Sequence, residues 1–525
     1  MRARDLEEGA TNAGKGGMKM PIFAKALSAS VLALSVSAGA LFAQATADNF
    51  IVAVSEEPDT LDMTATGHAP GARVSLENIT EGLWTTTTDG ALKSSVADWD
   101  ISEDGLQITF TIHDGVTFHS GDPLTAEDVI FSHNRMLEKA PQYARRARAL
   151  ESVEALDDMT VRFNFHTPDA GMLPSRSLSI VSKAYFDRVG EEEFMRHPVG
   201  TGPYEFVSYT PGTELVLKRY EDYYGDLPEV ENATLRYVRE PATRVAQLQA
   251  GEVGMVMDIP YPDVPKLEEA GFEMEYLSAH PTIAIQFHNL NPDVPWSDPR
   301  VRRAMAHAVD RQAIIDGLLA GVPKMTPTVA ENELGYDPSV EPYAYDPQKA
   351  RDLLAEAGYP DGFDLPLDVW GGAFAGLKET AEATALYLRE VGIRADVQTL
   401  DASQFLGKIR EISGTTDGVF VGISAVPYAN QSDPIEALNV AYTSRSPFSP
   451  FRDETLDGYI SEANALLDPE ERSEALKKAF GLMHDQAALV PLWNFVAVYA
   501  MDGGVDFTPT KQFFPVVMFK DVSFE

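Results

Sequence analysis

The sequence predicts a mixed α/β chain divided between two or three domains. Three observations carry that expectation. Strand-like and helix-like patterns alternate irregularly along the chain. Several helices announce their own N-termini with capping residues. At 525 residues, the chain is too long for one hydrophobic core. After residue 46 no long linker, low-complexity run or short-period repeat interrupts it.

The elements follow in order. Residues 1–17 are polar and of mixed charge. Met18 then opens an export pattern: Lys19 and Lys25 give a positive start, residues 26–43 are apolar or small, and Ala43-Gln44-Ala45 is a cleavage signal. Cleavage is expected after Ala45, leaving Thr46 as the first mature residue. The competing reading is a membrane anchor, but the core is short and rich in Ser and Ala. Residues 1–17 read as a mis-assigned start.

Residues 107–111 alternate around Ile108 and Phe110, and residues 161–165 around Val161, Phe163 and Phe165, as half-buried strands do. Residues 204–209, Pro211-Gly212 and residues 215–217 read as a hairpin. Thr125 with Asp128 forms a capping box before Val129 and Ile130. Asp298-Pro299 opens a helix whose apolar face runs through Val301, Met305 and Ala308 to Ile314-Ile315. Asp346-Pro347 opens another, stopped by Gly358 and Pro360, and Asp468-Pro469 a fourth with Leu476, Phe480 and Met483 on one face.

Composition excludes several functions. With no cysteine there is no disulfide scaffold, no thiol catalysis, no cysteine metal site and no cysteine for a lipid anchor. A free protein of a Gram-negative periplasm fits best. The net charge is −38, and residues 1–45 are slightly basic, so the remainder is more acidic still. Such a charge repels nucleic acid and anionic lipid. No G-x-S-x-G nucleophile pattern is present, and Gly67 to Gly71 lacks the Lys-Ser/Thr ending of a phosphate-binding loop. Carboxylates are too abundant for counting to exclude a glycosidase pair. His113, Asp114 and His119 lie close in sequence and leave a metal-binding carrier open.

Four segments together carry a resemblance. The first begins at Leu61-Asp62, passes Glu81-Gly82-Leu83, Ala97-Asp98-Trp99 and Asp104-Gly105, and continues through residues 110–121 into Thr125-Ala126-Glu127-Asp128-Val129. The second runs from Gly200-Thr201-Gly202-Pro203-Tyr204 to Tyr223-Tyr224-Gly225. The third spans residues 298–321, with Arg302-Arg303-Ala304 and Val309-Asp310-Arg311. The fourth runs from Tyr345-Asp346-Pro347 to Gly358-Tyr359-Pro360, followed by Gly392-Ile393. In this order and spacing they resemble the extracellular solute-binding proteins of the peptide/nickel ABC-importer class, family 5. Leu400-Asp401-Ala402-Ser403-Gln404 and the ending over 507–524 add a likeness to its glutathione- and dipeptide-binding members.

The resemblance implies a type II periplasmic-binding fold with two lobes. Lobe I would comprise residues 46–283, with an extra subdomain at about 81–196, and the return of residues 492–525. Lobe II would span 284–491, with hinge crossings near residues 284–287 and 491–493. It implies a monomeric, non-enzymatic carrier without a cofactor, closing over a peptide or peptide-like solute and delivering it to an inner-membrane ABC permease. An opine, a sugar-like compound or a metal-chelate complex is the alternative cargo, and a periplasmic hydrolase the alternative class.

The resemblance also implies a ligand set. The loop at residues 64–69 would bring His68 to the solute, although a surface histidine reads equally well. Arg145, Arg146 or Arg148 would meet a carboxylate, against the reading of a solvated helix face. Trp370 would stack on the ligand, with Gly371 and Gly372 allowing close backbone approach; a packed core tryptophan is the rival. Ser424, Tyr428, Asn430 and Gln431 lie in the stretch that holds amino groups in peptide binders. Here the sequence departs from the pattern. Ala425, Val426 and Pro427 stand where peptide binders place an aspartate, and no arginine stands a few residues after Trp370, over residues 373–376. Tyr428, Asn430 and Gln431 would suit an amide, a sugar-like group or a modified peptide.

Overall fold

The computed structural model describes residues 46–66, 70–87, 91–169, 178–325, 329, 333–371, 374, 376–427, 434–510 and 515–525. The export segment and the start at residues 1–17 lie outside them.

Helix starts follow the capping chemistry. The Asp128 carboxylate accepts from the Thr125 N–H at 2.9 Å, and helix Ala126–Lys139 begins there. Asp298 accepts from the Arg300 N–H at 2.8 Å ahead of helix Pro299–Ala308. The sequence reading carried that apolar face through to Ile315. Instead the chain breaks at Val309: the Asp310 carboxylate accepts from the Ala313 N–H at 3.0 Å and caps a second helix, Arg311–Leu318. Asp346 and Asp468 likewise cap helices Pro347–Glu356 and Pro469–Asp485. Gly358 leaves the former at φ +93°, a conformation that favours glycine.

One ten-stranded sheet runs through the molecule. From one edge its strands are Ile393–Leu400, Phe363–Trp370, Val421–Pro427, Glu273–Phe287, Leu489–Met501, Met255–Val256, Phe50–Val54, Asn232–Tyr237, Glu214–Arg219 and Tyr204–Thr210. Its two central strands are long, and every residue of Leu489–Met501 is buried. They pair antiparallel, with residues 273–278 facing 496–501 and residues 282–286 facing the start of the partner strand. Leu489–Met501 reads as a near-continuous apolar run because both of its faces are covered, whereas Glu273–Phe287 is buried throughout only over residues 281–287. The described residues all fall within one compact unit, 42–525.

A four-stranded antiparallel sheet stands apart: Ala97–Ile101, Gln107–Ile112, Thr160–Phe165 and Leu150–Asp157. Its inward side chains are the alternate ones, Ile108, Phe110 and Ile112 facing Val161, Phe163 and Phe165. With Val129 and Met136 of helix Ala126–Lys139 they form a core of their own, built from residues between Leu83 and Ile180. Trp84 stacks on Phe110 at 5.6 Å and Phe163 meets Phe110 edge-on at 5.1 Å. A third core gathers Leu456, Ile460, Leu476, Phe480 and Met483 of helices Glu454–Ala465 and Pro469–Asp485.

Glycines make the join between the small sheet and the large one. A Cβ on Gly200 would lie 2.1 Å from the Ile79 carbonyl oxygen, and one on Gly202 2.6 Å from that of Asn78. The Gly-Thr-Gly-Pro-Tyr run is therefore demanded by backbone touching backbone. His119 Nε2 meets the Gly202 carbonyl at 2.8 Å across the same seam.

Candidate functional site

Strand direction fixes where a solute can be held. Phe50–Val54 is parallel to Asn232–Tyr237 and to Met255–Val256. Met255–Val256 is antiparallel to Leu489–Met501, which is antiparallel to Glu273–Phe287. The first strand therefore runs the same way as Glu273–Phe287, toward the half of the sheet that holds residues 363–370, 393–400 and 421–427. In that half, Val421–Pro427 is antiparallel to Glu273–Phe287, and Phe363–Trp370 is parallel to both Ile393–Leu400 and Val421–Pro427. These three strands run back toward the first half. Val54, Tyr237 and Val256 thus end facing the ends at Trp370, Leu400 and Pro427. Carboxyl ends of parallel strands are where α/β sheets hold ligands, and here two sets confront each other.

Between the two sets, the central strands lose regular pairing. Ser278 faces Val496 and Thr282 faces Asn494, so residues 279–281 stand against Phe495 alone. Pro281 offers no N–H to the ladder there. Around the irregularity, Thr282 Oγ1 donates to Asn494 Oδ1 at 3.1 Å, and the Asn494 N–H donates to the Lys324 carbonyl at 2.9 Å.

On the first side, the chain leaves Val54 into Ser55 and Glu56. Ser55 Oγ donates to Asp258 Oδ2 at 2.5 Å. Burial, then Asp258 and Asp59, pushes the Glu56 carboxyl up. The turn that follows is held by Asp62. Its Oδ1 accepts from the Thr64 N–H at 3.0 Å and from Thr64 Oγ1 at 2.5 Å. Its Oδ2 accepts from Arg135 Nη2 at 2.6 Å and Nε at 3.1 Å. Arg135 also reaches Glu191 and lies over the Phe186 and Phe194 rings at 5.0 and 5.1 Å. The short helix Met63–Thr66 at this lip is thereby tied to the small-sheet unit. Sequence reading did not single out Arg135: a lone arginine inside an amphipathic helix carries no mark of a partner 73 residues earlier.

On the second side, Trp370 is half-buried at its strand end and stacks on Phe405 at 5.9 Å. The Gly371 N–H donates to the Leu400 carbonyl at 2.8 Å, and a Cβ there would lie 2.4 Å from Thr399 Cγ2. Phe374 meets Phe495 of the crossing edge-on at 4.9 Å. Gly376, at φ +78°, passes Tyr261, whose hydroxyl donates to the Val496 carbonyl at 3.0 Å.

The other expected residues distribute as follows. Ser424 is buried within the sheet, its hydroxyl accepting from Gln286 Nε2 at 2.5 Å and donating to the Ala425 carbonyl at 3.4 Å. Its polar atom is thus engaged between strands. Arg148 is exposed on the turn Ala147–Ala149. Arg145 and Arg146 lie on helix Pro141–Arg146, with side chains outside the described residues. His68, Gly372, Tyr428, Asn430 and Gln431 also lie outside them.

His113 and His119 do not converge. His113 Nε2 faces Asp98 at 3.3 Å, while His119 is engaged with Gly202 and pushed down to about 4 by burial. Among the described residues no group of three His, Asp or Glu could hold a metal ion, and no helix is long and apolar enough to cross a membrane.

Comparison with known proteins agrees with this geometry. The family model described as "Bacterial extracellular solute-binding proteins, family 5 Middle" matches residues 94–445. The chain is 29% identical over 445 residues to "Heme-binding protein A" of Haemophilus influenzae, covering 76% of this chain and 78% of that one. It is 28% identical over 483 residues to "Glutathione-binding protein GsiB" of Escherichia coli K12, covering 88% and 91%. The solved structure of the PBP AgaA from A. tumefaciens R10, in complex with agropinic acid, superposes with a TM-score of 0.74 at 25% identity, over 91% of this chain and 99% of that one. The fold is the two-lobed type II periplasmic-binding fold.

Proposed function

The chain belongs to the bacterial extracellular solute-binding proteins, family 5, and from that membership we propose that it captures a peptide or peptide-like small solute in the periplasm and delivers it to an inner-membrane ABC permease. The observation that carries the reading is the confrontation of strand ends at Val54, Tyr237 and Val256 with those at Trp370, Leu400 and Pro427. A solute between them touches both halves, so its binding energy favours the closed arrangement. The register shifts at Ser278/Thr282 and Ile283/Ala284 support a hinge at the crossings expected near residues 284–287 and 491–493. No reactive group is needed, because differential affinity for the closed state is the whole mechanism.

The cargo is a solute without an exposed primary amine at the lobe II anchor. Ala425, Val426 and Pro427 offer no carboxylate at the end of their strand. A blocked or modified peptide fits, as does an opine of the kind held by AgaA. Trp370 supplies the flat apolar contact, and its present partner Phe405 braces it from behind.

Native purification followed by mass spectrometry of the released solute tests the proposal. A blocked or modified peptide, or an opine, supports it. Recovery of empty protein that no peptide, glutathione or opine stabilises in a thermal-shift screen refutes it. A solute at ~100 times its dissociation constant adds about 2.7 kcal/mol.

A further inference from the structure

A second hollow lies away from the strand ends. It opens where the turn after helix Pro70–Leu76, the hairpin of Trp84–Thr86 with Leu92–Ser94, and the C-terminal segment meet, and it encloses about 350 Å³. Asn78 pins the C-terminal segment in place: its Nδ2 donates to the Val517 carbonyl at 2.9 Å, and its Oδ1 accepts from the Phe519 N–H at 2.9 Å. Described residues of all three segments line the hollow.

Its charges are unevenly used. Glu81 is buried, with one oxygen accepting from the Tyr223 hydroxyl at 2.9 Å and the other from Thr201 Oγ1 at 3.1 Å. Asp521 Oδ2 accepts from Thr510 Oγ1 at 3.4 Å, while its Oδ1 takes no hydrogen bond among the described residues. Lys93 and Lys520 line the same wall, and among the described residues neither forms an ion pair or donates a hydrogen bond. Their charges act on the carboxylates beside them, both on Asp521 and Lys520 also on Glu81. Arg73, by contrast, is paired with Glu77 at 2.5 Å.

We propose that this hollow is a second binding site, for a small zwitterionic amino acid. Two ammonium groups that donate no hydrogen bond among the described residues suit one carboxylate, and the Asp521 oxygen that accepts none there suits one ammonium. Lys93 and Lys520 balance Glu81 and Asp521, so a solute of zero net charge enters without disturbing that balance. A simple anion would meet the Asp521 carboxylate, and a simple cation would meet both lysines. The volume lies at the lower end of small-molecule sites.

Isothermal titration of the purified chain with L-alanine, acetate and methylammonium tests this. Saturable binding of L-alanine, with none for acetate or methylammonium, is expected. Lys520→Ala and Asp521→Asn should each weaken it by at least about tenfold, and Lys520→Ala should do so without shifting the melting temperature of the unliganded protein, since Lys520 is exposed. No saturable binding of L-alanine overturns the proposal. Acetate binding as well as L-alanine also overturns it. Loss of L-alanine binding with Trp370→Ala but not with Lys520→Ala would place the amino acid between the strand ends and overturn it too. The solute recovered from the native protein is identified independently, so either result leaves the carrier reading to its own test.

Discussion

At the scale of single residues, buried charge and buried imidazole decide most. Arg135 meets the fully buried Asp62 with two N–H groups and the more exposed Glu191 on its far side. Removing one partner leaves a buried charge uncompensated, which costs about 3–5 kcal/mol. Arg135→Ala is therefore expected to lower stability by that order in urea unfolding, and Arg135→Lys to restore only part, because one ammonium cannot reproduce the two-pronged contact. Histidine makes a second prediction. His133, bonded through Nδ1 to the Tyr143 hydroxyl at 2.8 Å, is pushed down to about 4 by burial, as is His119. Between roughly pH 6.5 and 4 the unfolded chain binds protons that the folded chain refuses. Stability should fall as the pH drops through that window and the histidine contribution should level off below it, with His133 contributing on the order of 3 kcal/mol. Unfolding curves at pH 7 and pH 5 check this: the wild type should lose more than His133→Gln, and equal losses would contradict it.

At the scale of elements, the seam of glycines is the sharpest case. Gly202→Ala pushes a methyl group into the Asn78 and Ile79 carbonyls and is expected to cost about 1–3 kcal/mol or more. Circular-dichroism melting reads it, and an unchanged midpoint would mean the seam can open. This seam also shows what the sequence makes legible. Strands 107–112 and 160–165 were readable because one face is wet, so alternation survives. Helix starts were readable because Asp-Pro and Thr-x-x-Asp act within three residues of themselves. The break at Val309 was not, because Asp310 reads as one more polar residue until its carboxylate is seen to cap Ala313. The candidate site was legible only as strand ends. Trp370 and Gly371 could be placed there from pattern and resemblance, whereas the Asp62–Arg135–Glu191 cluster joins residues distant in sequence that no local periodicity connects. Ser424 illustrates the converse: its strand was foreseeable, but its engagement with Gln286 on the neighbouring strand depends on register.

At the scale of the whole molecule, the absence of cysteine in the chain becomes an experimental advantage. Asp226→Cys and Arg389→Cys place one exposed thiol on each side of the crossing strands, so dyes can be attached without competition. Energy transfer between them should rise when the solute recovered from the native protein is added, because bridging both sets of strand ends favours the closed arrangement. An unchanged signal in the presence of bound solute would mean the halves do not move.

The pairing of the two central strands also bears on how such a molecule can be rebuilt. The chain enters the second half along Glu273–Phe287 and returns along Leu489–Met501, adjacent strands of one sheet, so entry and exit lie about 5 Å apart. The second half is thus a cassette spliced into the first at a single point, with both splice sites side by side. Exchanging it for the corresponding piece of a relative should need only two junctions in register, and should transplant the contacts of Trp370 and its neighbours while leaving the first half's side of the cleft as it is.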